Sequence, residues 1–251
     1  MTEPELITGT AENRHRVIFG QTGTGKTYRA FQIVKSAPGY SVFVDANRNI
    51  RGGVNKVKDL TFKSRLNVLY LDYTQPAEFS LLVNYLFTLY RRGMYRHRMN
   101  LFIDEADIFC HNNPDDIEAL LSGGRRFFDI TLITTKPAMM GTSHGYVALS
   151  QARQIVLLWM RETDYIAIER HTGIFISPEI RAHLEGKYNY VIIDGMEVKL
   201  YDGMEKKNAG RKDMPGELPG IQKMPVSEPP NPGPPILPGQ TGDNQADTIG
   251  T

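Results

Sequence analysis

Cysteine is nearly absent: Cys110 stands alone in 251 residues. That excludes an intrachain disulfide. It also excludes a Cys/His zinc cluster, because His111 beside Cys110 supplies a pair of ligands and not a site. The expectation for Cys110 is a small, half-buried residue after a strand. Charge of one sign is lacking as well. The 29 Lys and Arg and 28 Asp and Glu leave a formal net charge of +1, so any surface for nucleic acid must be local. Long apolar runs are missing, and "IVLLWM" at 155–160 falls far short of the ~20 residues a membrane-spanning helix needs. The opening stretch "MTEPELITGTAEN" is acidic and polar, unlike a secretion signal. These features read as an intracellular protein. No helix-turn-helix, zinc finger or RNA-binding motif occurs, so sequence-specific reading of nucleic acid is not expected.

What is present is an alternation of short β-type apolar runs with helical patterns over residues 14–202, the mark of a mainly parallel sheet with helices on its faces. Strands are expected at Arg16–Phe19, Ser41–Asp45, Asn67–Leu71, Asn100–Asp104, Ile130–Thr134 and Gln154–Trp159. A hairpin follows at Tyr188–Ile193 and Glu197–Tyr201, turned by "DG" at 194–195. Helices are expected from Lys26 to about Ser36, Ala77 to Arg92, Asp115 to about Phe127 and Thr163 to His171. In the second, Phe79, Leu82, Val83, Leu86 and Tyr90 share a face. Residues 1–13 read as a flexible lead-in. Residues 203–251 hold most of the prolines and few periodic apolar residues, so they are expected to be a disordered tail. Within it, "PPNPGPP" reads as a polyproline II docking segment or as plain solvated chain.

The stretch "RVIFGQTGTGKTYRAFQIV" places a strand, a glycine-rich loop and a helix in succession. Its loop, Gly20, Gln21, Thr22, Gly23, Thr24, Gly25, Lys26 and Thr27, meets the pattern G-x-x-x-x-G-K-[ST]. The glycines let backbone N–H groups turn inward onto phosphate oxygens. The following helix adds the positive end of its dipole. Lys26 brings a point charge to the β- and γ-phosphates of ATP, and Thr27 offers its hydroxyl to Mg²⁺.

A second apolar strand, in "MNLFIDEADIF" at 99–109, ends in carboxylates. Unpaired acids at the edge of a core are costly, and a metal beside a phosphate accounts for them. Asp104 is then the Mg²⁺ residue, and Glu105 is placed to polarise water against the γ-phosphate. The string "DEAD" at 104–107 suggests the DEAD-box helicases, but those carry two such domains and further motifs for which this chain has no room.

After these motifs comes "GRRFFDITLITTKP". Together with the Walker A loop and the strand ending in Asp-Glu, it resembles the FtsK–HerA superfamily of DNA-pumping ATPases over about residues 14–170. The small single core is similar to that of the genome-packaging ATPases of tailless, internal-membrane viruses and phages. The resemblance implies a P-loop NTPase fold of the RecA-like (ASCE) kind, with the strand ending at Thr134 inserted between the two motif strands. It implies a sensor at the tip of that strand. The family's glutamine is replaced by Thr135, with Thr134 before it, and a hydroxyl has shorter reach. It implies a homo-oligomeric ring in which an arginine of the "GR" segment, Arg125 or Arg126, completes a neighbour's site. It further implies double-stranded DNA as the partner, host cytoplasm and virion as the setting, and a capsid or virion membrane or portal protein as a partner for the tail.

Arg125 and Arg126 read equally as a basic helix end. The densest basic stretch, "YRRGMYRHRMN" at 90–100, reads as phosphate contacts in a ring channel or as a solvated helix end. The leading expectation is a DNA-translocating ATPase that packages a viral genome. The alternatives are a phage assembly or export ATPase, a nucleoside kinase of the thymidine type, and a nucleotide-gated scaffold.

Overall fold

The computed structural model describes residues 15–95, 97–137 and 149–203. The expected lead-in, nearly all of the expected tail, and Arg96 of the basic stretch lie outside the described residues. Eight strands form one sheet: β1 (Arg16–Phe19), β2 (Ser41–Val44), β3 (Leu66–Leu69), β4 (Met99–Ile103), β5 (Phe128–Thr134), β6 (Gln154–Leu157), β7 (Tyr190–Asp194) and β8 (Glu197–Tyr201). Their order is β3-β2-β4-β5-β1-β6-β7-β8. The first six run parallel, and the β7–β8 hairpin continues the sheet antiparallel to β6. The hairpin turns one residue later than "DG" suggests: Asp194 still pairs with Glu197, leaving Gly195 and Met196 as the two turn residues.

The strands are short and apolar on both faces because both faces are covered. Along β1, Val17 and Phe19 join one core cluster and Ile18 the other, as alternate side chains must. Helix α1 (Lys26–Ser36) lays Ala30, Phe31, Ile33 and Val34 on one face of the sheet. On the other face, α2 (Pro76–Arg91) buries Phe79, Leu82, Val83, Leu86 and Leu89. Its proline occupies the first turn, where no backbone N–H is needed.

Two helices depart from expectation. Residues directly after the acidic strand form α3 (Ala106–Asn112), a stretch for which the sequence pattern predicts no element. It buries Ala106, Asp107, Phe109 and Cys110. Cys110 is thus fully buried on a helix, not half-buried after a strand, and burial pushes its thiol up to about 12. The expected helix from Asp115 to Phe127 is instead α4 (Pro114–Glu118) running into a wide π-type turn over Ala119–Gly123. Pro114 explains the break from α3, since it cannot carry a preceding helix through. Helices α5 (Glu162–Thr172) and α6 (Pro178–Leu184) close the α/β part of the chain. No described helix is long and apolar enough to cross a membrane.

All six parallel strands end at one edge of the sheet. That edge collects the segments after Phe19, Val44, Leu69, Ile103, Thr134 and Leu157, together with the open end of the hairpin. The opposite edge collects the segments that precede the parallel strands.

Candidate functional site

The glycine loop emerges from β1 at the carboxyl edge. Gly25 takes φ +102 to pass from the loop into α1, a conformation that a side chain would strain. Gly20 is required for space instead: a Cβ there would lie 2.6 Å from Thr24 Oγ1 and 2.9 Å from Leu158 Cβ. The loop is tied down from both sides. Gly20 N donates to Thr134 O (3.4 Å) and Gln21 N to Trp159 O (3.0 Å), while Gln21 Nε2 donates to Asp164 Oδ2 (2.8 Å) at the start of α5. Inside the loop, Thr24 Oγ1 and Lys26 Nζ both donate to Gln21 O, at 2.8 and 3.2 Å. Thr22 and Gly23 are exposed at its crest, and Thr27 is half-buried in the first turn of α1.

Burial lowers the Lys26 ammonium below the usual lysine range, opposed by the charges of Asp104, Glu105 and Asp107. The lysine therefore faces the acidic end of β4 across the tip of β5. This placement follows from strand order, because β5 pairs with β1 on one side and β4 on the other. A strand lies between the two motif strands, as the FtsK–HerA resemblance implies.

Asp104 is buried, and its carboxyl is pushed up to about 6 by desolvation and then by the neighbouring Glu105, with Asp45 adding to it and Lys26 opposing. Excess negative charge with one lysine to offset it suits a divalent cation. Among the described residues, no three His, Cys, Asp or Glu side chains form a metal cluster. A cation here would therefore rest on Asp104, the Thr27 hydroxyl and oxygens from phosphate and water, a donor set of the kind Mg²⁺ takes.

Glu105 is the strained residue of the site. It caps α3 in the left-handed region, at φ 52 and ψ 43, which costs a non-glycine residue about 1–2 kcal/mol. Its carboxylate accepts from Asn47 Nδ2 through Oε1 at 3.0 Å.

The two threonines at the tip of β5 differ. Thr134 is buried and its hydroxyl is engaged, donating to Asp107 Oδ1 (2.7 Å) and accepting from Lys136 N (3.0 Å). Thr135 is half-buried at the rim. Arg125 and Arg126 precede β5 and lie at the edge opposite the glycine loop. Arg125 Nε donates to Leu121 O (3.3 Å), and Arg126 is exposed. The fold does not bring either arginine to the glycine loop of its own chain. The basic stretch before β4 also lies at that far edge. There Arg98 forms an ion pair with buried Asp129, Tyr90 and Tyr95 pack among aromatic rings, and Arg91 and Arg92 are exposed.

Sequence reasoning misses three participants. Asp107 stands out in the sequence only as part of "DEAD", although it sits three residues beyond Asp104, on the first turn of the following helix. Asp164 and Asn47 carry no local signal, since each meets its partner only through strand order.

No protein-family model matches the sequence, and no curated protein matches it. Solved structures do. The DNA-packaging ATPase B204 of Sulfolobus turreted icosahedral virus superposes with a TM-score of 0.55 at 18% identity, covering 78% of this chain and 100% of that one. VirB4 of Thermoanaerobacter pseudethanolicus gives 0.59 at 11% identity, covering 78% and 90%. The cytoplasmic domain of the type VII secretion ATPase EccC of Thermomonospora curvata gives 0.50 at 12% identity, covering 76% of this chain and 25% of that one. At these identities the likeness is one of fold: the chain has the P-loop ATPase fold of these proteins.

Proposed function

We propose that the chain is an ATP-hydrolysing motor that moves double-stranded DNA, packaging a viral genome into a preformed capsid. One observation carries the reading: the glycine loop and the Asp104–Glu105 pair flank the tip of β5, so that Lys26, Asp104 and Glu105 share one polar cluster. That arrangement suits hydrolysis better than simple nucleotide holding. Residues 20–27 bind the triphosphate, with Lys26 on its β- and γ-oxygens. Thr27 and Asp104 hold Mg²⁺, which when bound neutralises charge on the phosphates. Glu105 orients the attacking water and accepts its proton. Thr135 is the rim hydroxyl that senses the γ-phosphate, and Thr134 is the buried tie that holds it there.

The position of Arg125 and Arg126 at the far edge suits a trans role and no cis role, so a homo-oligomeric ring goes with this assignment. The DNA contact is to the backbone and independent of sequence. Support for the packaging reading comes from a viral DNA-packaging ATPase whose full length matches 78% of this chain. A capsid, portal or virion membrane protein as partner of the residues beyond 203, and a setting in host cytoplasm and virion, follow from the same reading.

The similar folds of VirB4 and of a secretion ATPase support a second reading, an assembly or export ATPase. One assay separates these: phosphate release with duplex DNA, single-stranded DNA, thymidine or no addition, alongside oligomeric mass with ATP. The motor reading expects stimulation by duplex DNA and a defined ring. Hydrolysis indifferent to DNA at low salt overturns it in favour of export, and phosphoryl transfer to thymidine overturns it in favour of a kinase.

A further inference from the structure

The glycine loop has two flanks. On one, β1 pairs with β5 and β5 with β4, which brings up Asp104 and Glu105. On the other, β1 pairs with β6, and the β7–β8 hairpin follows. Tyr188, two residues before β7, stands on this second flank. A Cβ added to Gly25 would lie 3.5 Å from Tyr188 Cδ1 and 3.8 Å from Leu158 Cδ2, so the edge of the tyrosine ring reaches the start of α1. The residue is half-buried and belongs to neither core cluster.

The turn that carries Tyr188 is held firmly in an unfavourable shape. Tyr188 takes φ 64, a left-handed conformation that bulky side chains seldom adopt and that persists only where the surroundings impose it. Four hydrogen bonds impose it here. Asn189 N donates to Gly186 O (3.1 Å), Asn189 Nδ2 to His183 O (2.8 Å), Gly203 N to Asn189 Oδ1 (2.6 Å) and Arg29 Nη2 to Tyr188 O (3.2 Å). The flanking glycines leave no slack: a Cβ on Gly203 would lie 2.1 Å from Lys187 O. Arg29 is braced in turn, with its guanidinium 3.6 Å from the centre of the Tyr190 ring, which stacks on Tyr201 at 4.7 Å. The Asn189 amide and the Tyr188 carbonyl are thus engaged within the protein, and what the turn offers the loop is the Tyr188 ring. The exposed Lys187 ammonium stands over that ring at 5.5 Å, a flexible cation that a planar ligand can displace.

We propose that Tyr188 is the stacking surface for the base of the nucleotide whose phosphates lie on residues 20–27, and that the site grips this base by its face and not by its edge. The inference rests on the reading of that loop as a triphosphate site and adds a subsite for the nucleoside, with its selectivity. The direction follows from the two flanks. With the γ-phosphate drawn to the acidic flank, the α-phosphate and the nucleoside point to the other, where Tyr188 stands. Stacking on an aromatic ring is tolerant of base identity, because every base has a π-face. The polar groups of the turn are tied down and do not read the edge, so adenine and guanine are held alike. The substrate class is the purine nucleoside triphosphates as a group.

The test compares the full chain with Tyr188→Gly and Tyr188→Phe. Glycine adopts the left-handed conformation without strain, so the first variant removes the ring and keeps the turn. Binding of ADP, GDP and pyrophosphate is measured by calorimetry with Mg²⁺ present. The parent chain should bind ADP and GDP with similar affinity, and both more tightly than pyrophosphate. Tyr188→Gly should weaken both nucleotides about 10-fold, the scale of one base stacked on one aromatic ring, and leave pyrophosphate binding as it was. Tyr188→Phe should restore the nucleotides, since the face suffices without the hydroxyl. If Tyr188→Gly weakens all three ligands alike, the residue shapes the loop and does not hold the base, and the proposal is overturned. If GDP binds far more weakly than ADP to the parent chain, the edge is read and the claim of selectivity by face alone fails. If the parent binds ADP no more tightly than pyrophosphate, the base subsite is absent while the phosphate loop stands. If it binds neither ADP nor pyrophosphate, this proposal and the nucleotide reading fall together.

Discussion

At the edge where β1, β4 and β5 end, charge is gathered around a glycine-rich backbone: Lys26, Asp104, Glu105 and Asp107 interact across the tip of β5. At the edge where those strands begin, aromatic rings close the sheet. Tyr90 packs on Phe127 with centroids 4.8 Å apart and on Phe128 at 5.3 Å, and Tyr40 packs on Tyr95 at 5.6 Å. Both edges hold basic side chains and buried acids, yet the same residue types do different work. At the far edge Arg98 pairs with Asp129 and Tyr90 donates to Phe127 O at 2.9 Å, so the buried charge there is met by the protein itself, although the Ser41 and Tyr95 hydroxyls are buried without a partner. At the near edge Asp104 is driven up by burial and by like charge, and Glu105 is strained. A region that completes its own partners stabilises the fold, whereas a region left short of them is ready to take a ligand.

The sharpest way to break this contrast is to change one residue at each edge and ask whether stability and turnover separate. Lys26→Ala should cut ATP turnover by about 10³-fold or more, the scale on which a positioned charge on a developing anion acts, while leaving the melting temperature without nucleotide nearly unchanged. Loss of turnover caused by unfolding would void the contrast. Phe128→Ala should do the reverse. Phe128 is fully buried, so its truncation should cost about 3–5 kcal/mol in denaturant titrations, with ATP affinity retained in the folded fraction.

His15 tests the far edge through pH. It is buried beside β1, with Nε2 donating to Leu121 O (3.0 Å) and Nδ1 accepting from Ile130 N (3.3 Å), the neutral tautomer. Burial, the largest cause, lowers its pKa from 6.5 to about 4. The unfolded chain therefore binds the proton more readily, so the stability due to neutral His15 is full above pH 6.5 and is lost as pH falls towards 4. The loss should be about 3 kcal/mol. His15→Gln should flatten that window in urea titrations run from pH 7 to pH 4, and an unchanged slope would show that another group sets it.

The smallest effect concerns the basic stretch that local charge alone suggests for DNA. Arg98→Ala should cost about 2 kcal/mol through the buried Asp129 carboxylate and leave the response to duplex DNA as it was. A variant of normal stability that no longer responds to DNA would place the DNA contact at the far edge and overturn the contrast.

The loop at 20–27 is legible in the sequence because its parts are neighbours in the chain: a strand, glycines, a lysine and a helix in succession need no tertiary contact to be recognised. The same holds for Asp104 and Glu105 at the end of an apolar strand, and for β1 and α1, whose bounds agree with expectation at both ends. Helix α3 is not legible, because "DEADIFCHN" continues an apolar strand without a glycine or proline to mark the change, and the left-handed Glu105 makes the turn in their place. The hydroxyl of Thr134 cannot be told from that of Thr135 until α3 is seen to present Asp107 to the first.

The sequence by itself therefore determined that a glycine-rich loop between strand and helix and an acidic strand exist and which side chains they carry, since short-range pattern encodes both. Only the tertiary structure decided what stands around them. Asn47 meets Glu105 across 58 residues and Gln21 meets Asp164 across 143. Such contacts depend on which strands pair, and pairing is settled by burying two faces of one sheet at once, a property of the whole chain that no local stretch contains.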